Sequence, residues 1–358
     1  MHKLAIVLAL AGGVAAGQLG ASRSHAQEDV TALMKQREAI LEVARQPVDT
    51  TPFEKPPPYK IGLSAGYLSN SWILFASQYV KYEASLHSEV DDLIITDANW
   101  NPAKQVADIE DLISKDIDVL LYWPVDEQTV LPALQRAVEK GIPTVNVGYN
   151  FMDSASVTGN AYVDQWDMSV ENARHLAEDL DGEGKIFAML PIAGSSAAVT
   201  QLAALEHVLE EYPDIELVSV EYGDWNRAKA KQLTENLLQR FPRIDGAFSP
   251  AGQMSMGILE AFDEAGRLDE LTMSPGDEYN GWTKWVAKHG KWGSVTSGLE
   301  VGRAAVRHGL DILMGQPVAN AAVVDTRYLT PAEAAELHDP ERPDDWWPTE
   351  LPPEFLPQ

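Results

Sequence analysis

From Tyr59 onward, short runs of aliphatic and β-branched residues alternate with longer stretches of helical period, a pattern that restricts the chain to parallel sheets covered on both faces. The runs are Ile61-Gly62-Leu63, Leu93-Ile94-Ile95, Val119 to Tyr122 and Thr144 to Val147. Between them, Trp72 to His87, Ala103 to Ser114 and Glu127 to Lys140 carry the helical pattern. The runs are apolar on successive residues, as strands buried on both faces must be. The alternation restarts after Asp164. Strands are expected at Lys185 to Leu190, Glu216 to Val220, Gly246 to Ser249, Leu271 to Met273 and Gly293 to Thr296, with helices between. Two similar α/β halves follow. A chain of 358 residues also exceeds the roughly 250 to 300 at which one core stops growing.

The ends depart from this pattern. Residues 1–26 hold Lys3, the apolar run Leu4 to Ala16 and Ser24-His25-Ala26, which reads as a cleavable secretory signal. The apolar run is shorter than the ~20 residues that span a bilayer. Glu28 to Gln46 reads as an amphipathic helix through Val30, Leu33, Ile40 and Leu41, expected to pack on the first lobe. A stiff linker to Pro58 follows, with Pro56-Pro57-Pro58. From Val324 the pattern becomes loop-like and rich in proline. The tail nevertheless carries Trp346, Trp347, Phe355 and Leu356, which are costly to expose, so it is expected to lie against the body near a hinge, away from the pocket.

Charge and composition exclude several functions. With 27 basic and 54 acidic residues, the chain is a poor partner for nucleic acid or anionic membranes. It has no cysteine, hence no disulfide frame, thiol nucleophile, cysteine zinc site or lipid anchor on a cysteine. Gly182-Glu183-Gly184-Lys185 has the wrong spacing for a phosphate cradle, no Gly-x-Ser-x-Gly turn occurs, and none of the eight histidines has metal-ligand spacing. The reading is a binding protein without catalytic machinery, cofactor or metal, with an enzyme that uses carboxylates across a cleft as the remote alternative.

In an open parallel sheet, ligands bind outside the carboxyl ends of the strands. The segments there are Tyr67 to Trp72, Trp123 to Asp126 and Gly148-Tyr149-Asn150 in the first half. In the second they are Gly194-Ser195-Ser196, Asp224-Trp225-Asn226, Pro250 to Gln253 and Gly276-Asp277-Glu278.

These segments, with Asn101-Pro102-Ala103-Lys104, Pro124-Val125-Asp126 and Gly141-Ile142-Pro143-Thr144-Val145, resemble the type I periplasmic binding proteins of the ribose and galactose kind over about Tyr59 to Val323. The resemblance implies two doubly wound lobes joined by a three-strand hinge. Lobe 1 would span 59–163 and 299–323, lobe 2 164–298, and the tail 324–358. It also implies a small ligand, a sugar or polyol first and a small organic cation second, passed in the periplasm to an ABC transporter permease or a sensor protein.

By matching position, the resemblance places Trp72 and Trp225 on opposite faces of the ligand, where aromatic rings attract polarised C–H groups. Asn70 and Asp277 fall on further polar contact positions. Departures are equally informative. Where the family has an Asp-Arg pair after the fourth strand, this chain has Gly148-Tyr149, and Val199 stands for a second arginine. Trp123 and Ala251 stand for asparagines. The expected pocket, formed by Tyr67, Asn70, Trp72, Trp123, Tyr149, Ser196, Trp225 and Asp277, therefore has aromatic walls and a carboxylate, and suits a neutral or cationic ligand better than an anion.

Overall fold

The computed structural model describes residues 34–149 and 151–357. The signal segment, the start of the amphipathic helix including Leu33, and Asn150 lie outside the described residues.

Six parallel strands form the first sheet: β1 (Tyr59–Ala65), β2 (Val90–Asp97), β3 (Val119–Trp123), β4 (Thr144–Gly148), β5 (Gly159–Val163) and β12 (Ala321–Val324), in the order β12-β5-β4-β3-β1-β2. Their side chains divide by the two-residue period of a strand. In β3, Val119, Leu121 and Trp123 enter one core with α2 (Ser71–Ser85) and α10 (Val301–Leu313), while Leu120 and Tyr122 enter another with α3 (Pro102–Ser114) and α4 (Glu127–Glu139). Both faces are thus dry, which is why the sequence runs are continuously apolar.

The second lobe repeats the scheme with four parallel strands, β6 (Glu183–Leu190), β7 (Asp214–Tyr222), β8 (Gly246–Phe248) and β9 (Thr272–Met273), ordered β7-β6-β8-β9. Helices α5 (Gln165–Asp179) and α6 (Ser196–Leu209) cover one face, α7 (Arg227–Arg240) and α8 (Gly252–Glu264) the other. Beside it, β10 (Gly276–Asp277), β11 (Ser294–Val295) and β13 (Tyr328–Leu329) make a small mixed sheet. Here the structure corrects the loop-like reading of the tail: after Val324 the chain adds β13 antiparallel to β11 and then α11 (Pro331–Leu337), started by a Thr330/Glu333 capping box and packed on α9 (Asn280–His289).

The chain crosses between lobes after β5, after β11 and after β12. The crossings touch one another. Gly298 has φ +69°, and a Cβ there would lie 2.5 Å from Val163 Cγ2, so only glycine lets the first two pack. The Thr296 N–H donates to the Arg327 carbonyl at 3.0 Å, and the Arg327 N–H to Thr296 Oγ1 at 2.9 Å, joining the second and third.

The N-terminal helix α1, described over residues 34–44, is attached differently from the expectation. Its linker is held to the first lobe, the Val48 N–H donating to the Val318 carbonyl and the Asn320 N–H to that of Gln46. The helix itself reaches the second lobe: Met34 packs beside Trp166, and Arg37 Nη2 meets Asp164 and Asp167, each at 2.7 Å. The cause is charge. Asp164 caps α5 and Asp167 lies in its first turn, leaving a carboxylate pair at the first crossing that Arg37 neutralises.

Candidate ligand-binding site

The carboxyl ends of both main sheets open between the lobes, and side-chain caps fix the turns there. Asn70, Asn101 and Asp126 accept from the N–H three residues on at the starts of α2, α3 and α4; Ser195 and Asn226 do the same for α6 and α7. Asn70 therefore spends its carbonyl oxygen on the helix and keeps its amide N–H groups for the cleft.

Deep between the lobes lies a cluster built on Ser297, in the second crossing. The Trp72 indole N–H donates to Ser297 Oγ at 3.0 Å, and the Trp72 ring stacks on Tyr149 with centroids 4.7 Å apart. The Tyr149 hydroxyl donates to the Ser297 carbonyl at 3.0 Å, and the Ser297 N–H to Glu278 Oε2 at 2.5 Å. Asp277, beside Glu278, accepts from the Gly252 N–H at 2.9 Å and the Tyr279 N–H at 3.3 Å. A Cβ on Gly252 would stand 2.7 Å from Asp277 Oδ1, so glycine is what allows this backbone to reach the carboxylate.

Among the described residues neither Asp277 nor Glu278 forms an ion pair. Burial lifts the Asp277 carboxyl to about 7 against the pull of its backbone N–H donors. Burial, then the neighbouring Asp277 charge, lifts Glu278 to about 8. Tyr149 is pushed well above its ordinary value, chiefly by burial and then by these two carboxylates. Tyr67, Tyr149 and Asp277 are half-buried, and Tyr149 also lines a cavity of about 650 Å³.

Outside this cluster is a mouth cavity of about 270 Å³, lined by Asn70 and Trp100 from the first lobe, Trp225 and Gln253 from the second, and Asp345 from the tail. Trp100 stacks on Tyr67 at 3.4 Å and 6°. The backbones of Asn99, Trp100, Asp224 and Trp225 are all left-handed, with φ of 52°, 63°, 53° and 53°. A bulky residue in this region costs on the order of 1 to 3 kcal/mol, and such strain gathers where a side chain must be aimed. The two lobes thus present equivalent tryptophans by the same device, each directly before an asparagine that caps the next helix.

The expected residues fall into three groups. Asn70 and Trp225 share the mouth cavity, Tyr67 stacks on Trp100 beside it, and Tyr149 and Asp277 belong to the cluster beneath. Trp72 is buried with its N–H committed to Ser297, so the tryptophan that shares the mouth with Trp225 is Trp100. Trp123 is buried at the end of β3, its indole N–H without a hydrogen-bond partner. Ser196, exposed at the start of α6, shares with Tyr149 a second cavity of about 650 Å³ between the strand ends of the two lobes, beneath α1. Sequence reasoning missed Trp100 and Asp345, and placed Gln253 and Glu278 in strand-end segments without counting them among the pocket residues. The signal for Trp100 was the Trp-Asn pair, present before α3 as Trp100-Asn101 and before α7 as Trp225-Asn226.

Two α/β lobes, three crossings that touch, and cavities at the strand ends lined by both lobes define a two-lobed solute-binding protein. The chain belongs to the periplasmic binding protein domain family, whose model matches residues 61–317. Among curated relatives, the xylitol-binding protein of Mycolicibacterium smegmatis is 28% identical over 177 residues, 49% of this chain and 50% of that protein. The ribose import binding protein of Bacillus subtilis is 27% identical over 209 residues, 58% of this chain and 67% of the relative. The matched region thus spans only half the length of the xylitol-binding relative. Among solved structures, an ABC transporter solute-binding protein from Mycobacterium smegmatis with bound glycerol superposes with a TM-score of 0.72 at 24% identity, covering 82% of this chain and 99% of that one. Another from Bacillus halodurans with bound myo-inositol gives 0.71 at 22%, covering 79% and 98%. The fold is the type I periplasmic binding fold.

Proposed function

We propose that this protein is a periplasmic solute-binding protein that encloses a small hydroxyl-rich ligand, a sugar or polyol, between its lobes and hands it to an ABC importer. The observation that carries this reading is the cavity whose walls Asn70 and Trp100 of the first lobe share with Trp225 and Gln253 of the second, above a cluster in which Trp72 and Tyr149 meet Ser297 and Glu278. A ligand touching both lobes prefers the closed arrangement and so draws the hinge shut. Trp100 and Trp225 offer ring faces to C–H groups, while Asp277, Glu278 and the Asn70 amide offer hydrogen bonds to hydroxyls. No arginine lines the mouth, which disfavours anions. Relatives named for xylitol and ribose support the ligand class.

A second reading, a small organic cation, draws on the buried Asp277 and Glu278, which lack a positive partner among the described residues, beside stacked aromatic rings. The test is a thermal-shift screen of xylitol, ribose, myo-inositol and choline. A ligand at 100 times its Kd adds about 2.7 kcal/mol of stability, a readable melting shift. A shift with a polyol or sugar supports the first reading, a shift with choline alone supports the second, and recovery of a chemically altered ligand would overturn both in favour of an enzyme.

A further inference from the structure

The tail runs outside the two lobes but is tied to both. On the second lobe, the buried Asn280 amide donates to the carbonyls of Asp339, Arg342 and Pro343 at 2.9, 3.2 and 2.9 Å, and its oxygen accepts from the Asp339 N–H at 2.9 Å. The Gly281 N–H donates to the Asp344 carbonyl at 2.9 Å, and Arg227 Nη1 meets the Asp344 carboxylate at 2.8 Å. On the first lobe, the anchors lie along one side of α2. Trp346 meets Phe75 edge-on at 4.8 Å, Thr349 Oγ1 donates to the Tyr79 hydroxyl at 3.0 Å, and Phe355 meets Tyr82 at 5.3 Å.

Trp347 joins the two sets. It is 2% exposed, its indole N–H donates to Ser71 Oγ at 2.9 Å, and its ring lies edge-on to Tyr279 at 5.9 Å. Ser71 directly follows Asn70, and Tyr279 is two residues beyond Asp277, so one side chain grips the ligand-bearing turn of each lobe. Two residues earlier, Asp345 lines the mouth cavity beside Asn70 and Trp225. Separating the lobes must break one of the anchor sets, because Trp347 cannot keep both partners when Ser71 and Tyr279 part.

We propose that the C-terminal segment is a strap that completes the ligand site: Trp347 ties the two ligand-bearing turns together, and Asp345 is a rim contact that selects hydroxyl-rich or cationic ligands over anions. The Asp345 role rests on the ligand reading above; the tie does not. The two are tested separately. Because the chain has no cysteine, Ser114→Cys and Gln239→Cys, at exposed positions on α3 and α7, place one spin label on each lobe of the full chain. Pulsed electron resonance without ligand should give one narrow distance. Trp347→Ala should add a longer, broader population. Trp347→Phe, which keeps the ring and removes only the N–H, should add less of it and covers the case in which the alanine variant does not fold. Equal distributions in the parent and Trp347→Phe would overturn the tie.

For Asp345, the probes are xylitol, ribose, myo-inositol and choline in calorimetric titrations. Asp345→Asn should raise the Kd of the probe that binds about ten-fold or more, as losing a charge-assisted hydrogen bond does. An unchanged Kd would overturn the rim contact. If none of the four binds the parent, the ligand reading and the rim contact fall together, while the distances still decide the tie.

Discussion

At the scale of single residues, the site divides its aromatic side chains between two tasks. Trp100 and Trp225 keep part of their surface exposed and are aimed by strained turns, Trp100 also by its stack on Tyr67 and a hydrogen bond to Ser69, whereas Trp72 is buried and its indole N–H is committed to Ser297. Trp100→Ala and Trp225→Ala should each weaken binding by roughly 2 to 4 kcal/mol, as central aromatic contacts do, with little change in melting temperature. Trp72→Ala should instead lower folding stability by about 3 to 5 kcal/mol through the cavity it leaves. Calorimetry paired with thermal melts separates the two outcomes, and a reversed pattern would mean that the ligand sits deeper than the mouth tryptophans.

The carboxylates give a prediction in pH. Asp277 and Glu278 are raised to about 7 and about 8 in the folded protein, while unfolded carboxyls titrate near 4. Between those values the folded state holds more protons, so the stability these groups contribute is present at low pH and is lost as pH rises through about 7 to 8. Asp277→Asn should flatten the fall in melting temperature over that range. A cationic ligand would displace these protons, so its affinity should rise with pH and collapse in Asp277→Asn; a neutral polyol should respond weakly to both. A melting temperature independent of pH between 5 and 8 in the parent would contradict the raised values.

At the scale of elements, α1 and the strap lie on opposite sides of the cleft, and each is fastened by charge. The Arg37 guanidinium bridges Asp164 and Asp167 at the first crossing. Arg37→Ala leaves two neighbouring carboxylates unpaired, and a loss of about 1 kcal/mol is expected for a half-exposed pair, smaller at high salt. Thermal melts at two ionic strengths check this; no loss at low salt would show α1 to be held by Met34 and Ala44 alone. Gly252→Ala tests the carboxylate turn. The added methyl meets Asp277 Oδ1 at 2.7 Å, Tyr279 Cβ at 2.8 Å and Trp282 Cβ at 3.0 Å, so it must push the Asp277 turn away from the Gly252 N–H, and both ligand affinity and melting temperature should fall.

Much of this was legible in the sequence. Strands such as β3 are apolar on every residue because both faces are covered, and that signal survives without any structure. β5 was not legible, because it begins with Gly159 and Asn160, the latter a fully buried residue whose amide bonds Asn146 on β4 and the Met152 backbone. A polar residue satisfied across strands looks, in one dimension, like a loop. β10, at two residues, is too short to show a period. In the site, Trp225 and Asp277 could be read from their place after strands. Glu278 stood in a strand-end segment without a role assigned to it, and Asp345, 68 residues beyond β10, reaches the mouth only because the tail folds back. The tail's aromatics announced that it would pack against the lobes near the hinge, yet nothing in their spacing said that it would reach the mouth cavity.

At the scale of the whole molecule, the structure is a hinge with three fastenings: the crossings themselves, α1 on one side and the strap on the other. Among the described residues no helix is long and apolar enough to cross a membrane. Ligand binding in such a molecule is a competition between open and closed arrangements, and a ligand shifts it only through contacts made by both lobes at once. The most direct test is therefore a crystal structure of the full chain with whichever screened compound raises its melting temperature most. The ligand should lie between Trp100 and Trp225 at the mouth and Tyr149 and Asp277 on the floor, touching both lobes. Density instead in the cavity beneath α1 beside Ser196, or on one lobe alone, would contradict the site described.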